Sequence, residues 1–326
     1  MVETLYFPKM MGVLAASVTA GPMEKNSAFA SYFDEFLHEE NNKKFSYEDL
    51  HQVLFDKSRH RALEKAELQA NEIAYAVGGD LINQMTPTTF SAAGHGIPMY
   101  PLFSACATSV QASIQAAIFG QLTQSPILMT TGSFHAAVER QFRYPIEYGS
   151  QKPDTAQWTV TAGVSAIWGR VEKGPYLSHA TIGKVMDANQ SNPYDMGSAM
   201  APAAIDTIER HLKGMNAELS DYDAIITGDL GKYGLEIVKT LLSDQEGVIR
   251  DAGALFYGKE TFCNAGGSGA GCSAAVYFTH VLDNMQKEKW KRVLLVATGA
   301  LLSPLTFQQG KTIPSIAHAM EWRVKP

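Results

Sequence analysis

Cys106-Ala-Thr-Ser-Val-Gln-Ala-Ser-Ile-Gln-Ala-Ala-Ile-Phe119 leads into Ile127-Leu-Met-Thr-Thr-Gly132, and the same plan returns later as Cys272 followed by Val293-Leu-Leu-Val-Ala-Thr-Gly299. In the first copy Val110, Ile114, Ala117 and Ile118 recur at helical spacing, and the run that follows is short and apolar like a buried strand. Gly132 lies 26 residues after Cys106, and Gly299 lies 27 after Cys272. Upstream the match continues. Ala66-Glu67-Leu68 precedes the apolar run Ile73 to Val77, which ends in Gly79-Asp80-Leu81; Ala217-Glu218-Leu219 precedes Ala224 to Thr227, which ends in Gly228-Asp229-Leu230. Four landmarks in one order, with a spacing kept within one residue, mark an internal duplication.

Each copy also opens with a helix. Tyr47 to Lys65 has Ser46 and Asp49 as a capping pair, and Ala201 to Lys213 is followed by Gly214 as a stop. Strands that are apolar throughout, alternating with helices, imply a parallel sheet covered on both faces. The expectation is an α/β chain of two similar halves, residues 1–175 and 176–326, related by a pseudo-twofold axis with the site at their junction.

Composition narrows the partners. Of 326 residues, 45 % are apolar and 18 % charged, which suits a packed core and argues against disorder. The net charge of −6 and the lack of a basic run give no help in holding nucleic acid, so none is expected as a partner. Cys106, Cys263 and Cys272 are too scattered for a disulfide framework and show no zinc spacing. Lys9 interrupts the apolar stretch of Met1 to Ala20, so no signal peptide is expected. No run reaches the roughly 18 apolar residues that a spanning helix needs, so a membrane role would be peripheral.

A duplicated α/β half whose cysteine begins the central helix resembles the thiolase superfamily. The narrower resemblance rests on Glu139-Arg-Gln-Phe-Arg-Tyr-Pro145, Glu147-Tyr-Gly149, Asp195-Met-Gly-Ser-Ala-Met-Ala-Pro-Ala-Ala204, Ala297-Thr-Gly-Ala-Leu-Leu-Ser-Pro304 and Ile313-Pro-Ser-Ile-Ala-His318. These stretches resemble the stage V sporulation protein AD family. The resemblance implies a five-layered αβαβα thiolase-like fold and a homodimer. It also implies binding of dipicolinic acid (pyridine-2,6-dicarboxylate) for loading into the developing spore. The protein would then be peripheral at the inner forespore membrane, with membrane-embedded sporulation proteins of the same operon as partners. No cofactor is implied, with calcium open as a companion of the ligand.

Candidate chemistry centres on Cys106. A helix N-terminus favours an anion, so a thiol there would lose its proton more easily. It reads as an acyl-accepting nucleophile, as the floor of an anion site, or as a small buried residue. A condensing enzyme also needs bases from the second half. Gly228-Asp-Leu-Gly-Lys-Tyr-Gly234 and Asn264-Ala-Gly-Gly-Ser-Gly-Ala-Gly-Cys272 contain no histidine; only His318 stands near the right place. Cys106 and His318 are therefore the catalytic candidates, in an incomplete set, and His135 is a distant second histidine. For ligand binding the candidates are Asp80, Asn83, Cys106, Thr131, Gly132, Arg140, Arg143, Gly267 and His318. Arginines pair naturally with carboxylates, although Arg140 and Arg143 read first as a dimer-interface or salt-bridge segment and only then as ligand contacts. Asp80 would hold calcium or cap a loop. The glycines around Gly267 match no nucleotide fingerprint, leaving bare backbone that suits a carboxylate or close packing.

Overall fold

A computed structural model describes residues 4–38, 45–142, 152–258 and 263–325. The first half holds β1 (Thr4–Ala20), β2 (Glu35–Phe36), α1 (Tyr47–Ala66), β3 (Tyr75–Gly79), α2 (Thr86–His95), β4 (Met99–Pro101), α3 (Thr108–Thr123), β5 (Ile127–Ser133), α4 (His135–Phe142), β6 (Trp158–Thr159) and β7 (Ala162–Arg170). The second holds β8 (Tyr176–Thr181), α5 (Met196–Met215), β9 (Ala224–Thr227), α6 (Gly231–Leu241), β10 (Ile249–Asp251), α7 (Ala252–Phe256), β11 (Gly267–Ser268), α8 (Ala270–Val276), α9 (Leu282–Gln286), β12 (Arg292–Ala300), α10 (Pro304–Gln308) and β13 (Ser315–Arg323).

The main sheet runs β10-β9-β12-β13-β8-β1-β7-β5-β3-β4. Outward from its centre, each side repeats one plan. β8 and β1 pair antiparallel to each other, and β13 and β7 lie antiparallel to them. β12 and β5 follow antiparallel, and two parallel neighbours finish each side. The sheet is thus mixed, where the sequence reading implied a parallel one. Antiparallel β7 is buried along most of its length just as the parallel strands β3 and β9 are, and burial carries no information about strand direction.

α1 covers β1, β5 and β7 from one side, and α5 covers β12 and β13 from the other. Between these sheet halves lie α3 and α8; α3 packs on β3, β5 and β7 and also reaches β12 and β13. The result is five layers, α-β-α-β-α. Side chains of the two halves meet across the middle. Ser109 and Ser273 share a hydrogen bond of 2.7 Å, and Trp168 of β7 meets Trp322 of β13 edge-on at 5.9 Å.

Local signals explain most helix ends. Ser46 accepts from the Asp49 N–H while Asp49 accepts from the Ser46 N–H, as the capping pair predicts. α5 departs from its expected bounds. It begins at Met196, capped by Asp195, and runs through Pro202 and Gly214 to Asn216, whose φ of 47° ends it. Gly214 is no stop: a Cβ there would lie 2.5 Å from Thr4 Oγ1, so the helix needs glycine to pass β1.

Candidate functional site

Cys106 sits two residues before α3, in a tight turn rather than in the helix itself. Thr108 Oγ1 donates to the Ala105 carbonyl at 2.7 Å and accepts from the Ser104 N–H at 3.1 Å, folding the turn on itself. Ala105 takes a φ of 49°, a left-handed conformation that costs a non-glycine residue energy. Gly299, at the end of β12, presses on this turn from the other half. A Cβ at Gly299 would lie 2.3 Å from the Ser104 carbonyl oxygen, so only glycine lets the two backbones meet.

The second half contributes an acid. Asp229 follows β9 and is buried. It accepts from Ser268 Oγ (3.0 Å), the Gly269 N–H (3.0 Å) and Thr298 Oγ1 (2.8 Å), and it hydrogen-bonds the Cys106 thiol. Burial pushes the Asp229 carboxyl up, with these donors opposing. Burial, then the charge and hydrogen bond of Asp229, push the Cys106 thiol well above its usual range. This reverses the expectation of an easily ionised thiol: the helix end lies two residues away, and a buried carboxyl stands closer. Asp251 fixes the loop beyond Asp229 by accepting from the Leu230 and Gly231 N–H groups, each at 2.9 Å. Burial raises Asp251 to about 6.

A two-stranded parallel ladder completes the floor. β6 and β11 pair Thr159 with Ser268, which sets a hydroxyl from each half side by side. Together with Cys106 they line a chamber of about 40 Å³ whose walls include Leu81, Val138 and Leu302. Phe103 and Phe142 line this chamber and also an outer one of about 350 Å³, which reaches Asn83 and Ser303. The cleft therefore has a polar floor, apolar walls and a wide mouth.

The other candidates fall in several places. His318 lies within β13, not in a loop. Its Nδ1 accepts from the Gly183 N–H at 3.1 Å, so Nε2 carries the proton and donates to Ser104 Oγ at 3.2 Å. Burial lowers it to about 4, and both ring nitrogens are engaged. His135 stacks on Trp158 at 4.0 Å and approaches the Thr159 carbonyl. Asp80 accepts from the N–H groups of Ile82 and Thr88 and from the Thr88 hydroxyl, as a loop and helix cap. Thr131 donates to the Gly79 carbonyl inside the sheet, and Gly132 packs against Phe55 and Ala162. Gly267 is buried against Phe256, Val160 and Cys272, while its neighbour Ser268 faces the chamber. Arg140 pairs with Glu48 and lies 5.2 Å from the Tyr47 ring. Arg143 lies outside the described residues. Among the described residues, no three His, Cys, Asp or Glu side chains gather as a metal site, and no helix is long and apolar enough to cross a membrane.

Asp229, Thr159, Ser268 and Thr298 are the site residues that sequence reasoning did not single out. One signal for Asp229 was present. The duplication pairs Gly79-Asp80 with Gly228-Asp229, and the acid two residues beyond β9 in the second half meets the cysteine of the first.

Comparison with known proteins gives three results. The stage V sporulation protein AD family matches residues 2–323. Stage V sporulation protein AD of Bacillus subtilis (strain 168) is 40 % identical over 323 residues, covering 98 % of this chain and 96 % of that protein. Among solved structures, an OleA variant of Xanthomonas campestris superposes with a TM-score of 0.62 at 10 % identity, covering 98 % of this chain and 99 % of the other. The 3-oxoacyl-[acyl-carrier-protein] synthase III of Aquifex aeolicus VF5 gives 0.56 at 11 % identity, covering 96 % and 99 %. At these identities the two structures share the thiolase-like fold with this chain.

Proposed function

The chain belongs to the stage V sporulation protein AD family, and from that premise we propose that its cleft binds dipicolinate, or a similar flat aromatic acid, for delivery into the developing spore. The observation that carries this reading is the replacement of a base by an acid. The thiol of Cys106 has Asp229 as its partner, and the ring of His318 is engaged behind the turn. That arrangement keeps the sulfur protonated, as a hydrogen-bond donor rather than a nucleophile. Cys106 and Ser268 already donate to Asp229, and Thr159 to Glu139. A carboxyl group entering here therefore either brings its own proton or draws one of these hydrogens from its present acceptor. Leu81, Phe103 and Phe142 offer apolar walls to a ring. The inner chamber is small, so a carboxyl group enters it and the ring stays towards the outer chamber.

On this reading the protein works at the inner forespore membrane beside membrane-embedded proteins of the same operon, as a homodimer, and calcium arrives with the ligand. The test is a calorimetric titration with dipicolinate, with and without calcium. One saturable site per chain, weakened by Cys106→Ala and by Ser268→Ala, supports the cleft. Absence of saturation removes this ligand.

A second reading draws on the strained turn at Ala105. Left-handed backbone beside a cysteine also suits acyl transfer. Incubation with acyl-coenzyme A thioesters and mass spectrometry of the Cys106 peptide tests it: a stable acyl adduct with turnover favours an enzyme.

A further inference from the structure

A larger cavity, of about 530 Å³, lies at the opposite end of α3 from Cys106. α3 has 16 residues, so about 24 Å separates the two places. The walls are Met11, Leu14, Pro126 and the bare backbones of Gly120 and Gly169. A Cβ on Gly120 would lie 2.4 Å from Met11 Cε, so this glycine makes room for the Met11 side chain in the wall.

Two cations border the hollow. Lys9 Nζ donates to the Gln121 carbonyl at 3.0 Å, which anchors the ammonium at the end of α3 and leaves two N–H donors. Arg170 is exposed at the end of β7 and has no hydrogen-bond or ion-pair partner among the described residues. No acidic side chain lines the cavity among the described residues. Two uncompensated cations over an apolar hollow are unexpected in a chain of net charge −6. The volume falls in the roughly 300–1,000 Å³ range typical of small-molecule sites.

We propose that this cavity is a second ligand site, for an anionic head on an apolar tail. The head lies between Lys9 and Arg170, and the tail lies along Met11 and Leu14. Guanidinium suits carboxylate and phosphate alike, so a free amphiphile and a lipid headgroup share the required chemistry.

The full chain is titrated calorimetrically with decanoate, below the concentration at which decanoate self-associates. Separately it is mixed with phosphatidylcholine vesicles, with and without phosphatidylglycerol. The expected result is one decanoate per chain, weakened about tenfold or more by Arg170→Glu, since a charge-assisted contact becomes a repulsion. Thermal unfolding of Arg170→Glu at the wild-type temperature shows that the fold is intact. Binding only to phosphatidylglycerol vesicles, again lost in Arg170→Glu, assigns the head to a lipid in a bilayer. No binding in either arm, or binding that Arg170→Glu leaves unchanged, overturns the proposal.

Discussion

Cys106 and Asp229 are buried groups that meet from different halves, and each alters what the other can do. Burial, and after it the charge and hydrogen bond of Asp229, raise the thiol, so iodoacetamide at pH 8 should modify Cys106 far more slowly in the folded chain than in the unfolded one. Asp229→Asn removes the charge but not the burial and should speed alkylation, about three- to fourfold for each pKa unit recovered, because the thiolate fraction rises while its nucleophilicity falls; mass spectrometry of the Cys106 peptide reads the rate. The same acid sets the sign of a pH effect on ligand binding. A carboxylate entering beside Asp229 is favoured when one of the two carboxyls holds a proton. Burial raises Asp229, so dipicolinate affinity should increase on acidification. Asp229→Asn should flatten that dependence, and an affinity that falls on acidification would place the ligand elsewhere. Cys106 was legible in sequence because a duplication and a helix pointed at it. Its chemistry was not, because a thiol's pKa follows from neighbours that only the fold brings together.

Capping and buried charge decide individual elements. Ser46→Ala should cost about 1 kcal/mol, read as a lower midpoint in urea or heat, since it removes one half of the α1 capping pair. Gly299→Ala should cost more and also disturb the Cys106 turn, because its Cβ meets the Ser104 carbonyl. The short turn Met23–Asn26 carries Glu24, which accepts from the Thr161 N–H and from Tyr257 Oη. Burial raises Glu24 from 4.5 to about 7. The folded chain then holds this proton more tightly than the unfolded one. Its stabilising effect is full below about 4.5 and is lost as pH rises through about 7, roughly 3 kcal/mol in all. Glu24→Gln should therefore flatten the decline in unfolding midpoint between pH 5 and 8; an unchanged slope would mean that Glu24 does not carry it. The helix of α1 and the strand of β9 were readable from period and caps. Strand direction was not, because antiparallel β7 is as continuously buried as the parallel strands β3 and β9. Nor was the start of α5, where Asp195 outranks a proline seven residues into the chain that follows.

Pseudo-twofold repetition leaves the whole molecule with two outer sheet edges, β10 and β4. The duplication made the two-half plan visible in sequence, but it could not show how the edges are covered. β10 passes directly into α7. β4 is different: Tyr100 is 49 % exposed on it, with Phe103 at 49 % and Tyr75 at 39 % nearby. A short edge strand with Pro101 resists open-ended pairing, yet a patch of exposed aromatic rings favours burial against another surface. A homodimer with the two β4 edges facing one another satisfies both, because a twofold contact closes on itself. Light scattering should then give about 71 kDa, twice the 35.5 kDa of the chain, and Tyr100→Arg should shift it towards the monomer. Phe103 connects this edge to the ligand cleft, since it lines both chambers there. Dissociation should consequently weaken dipicolinate binding as well. If Tyr100→Arg yields monomers that bind as tightly as the wild type, the edge and the cleft are independent; a wild-type monomer would mean that the aromatic patch serves another partner.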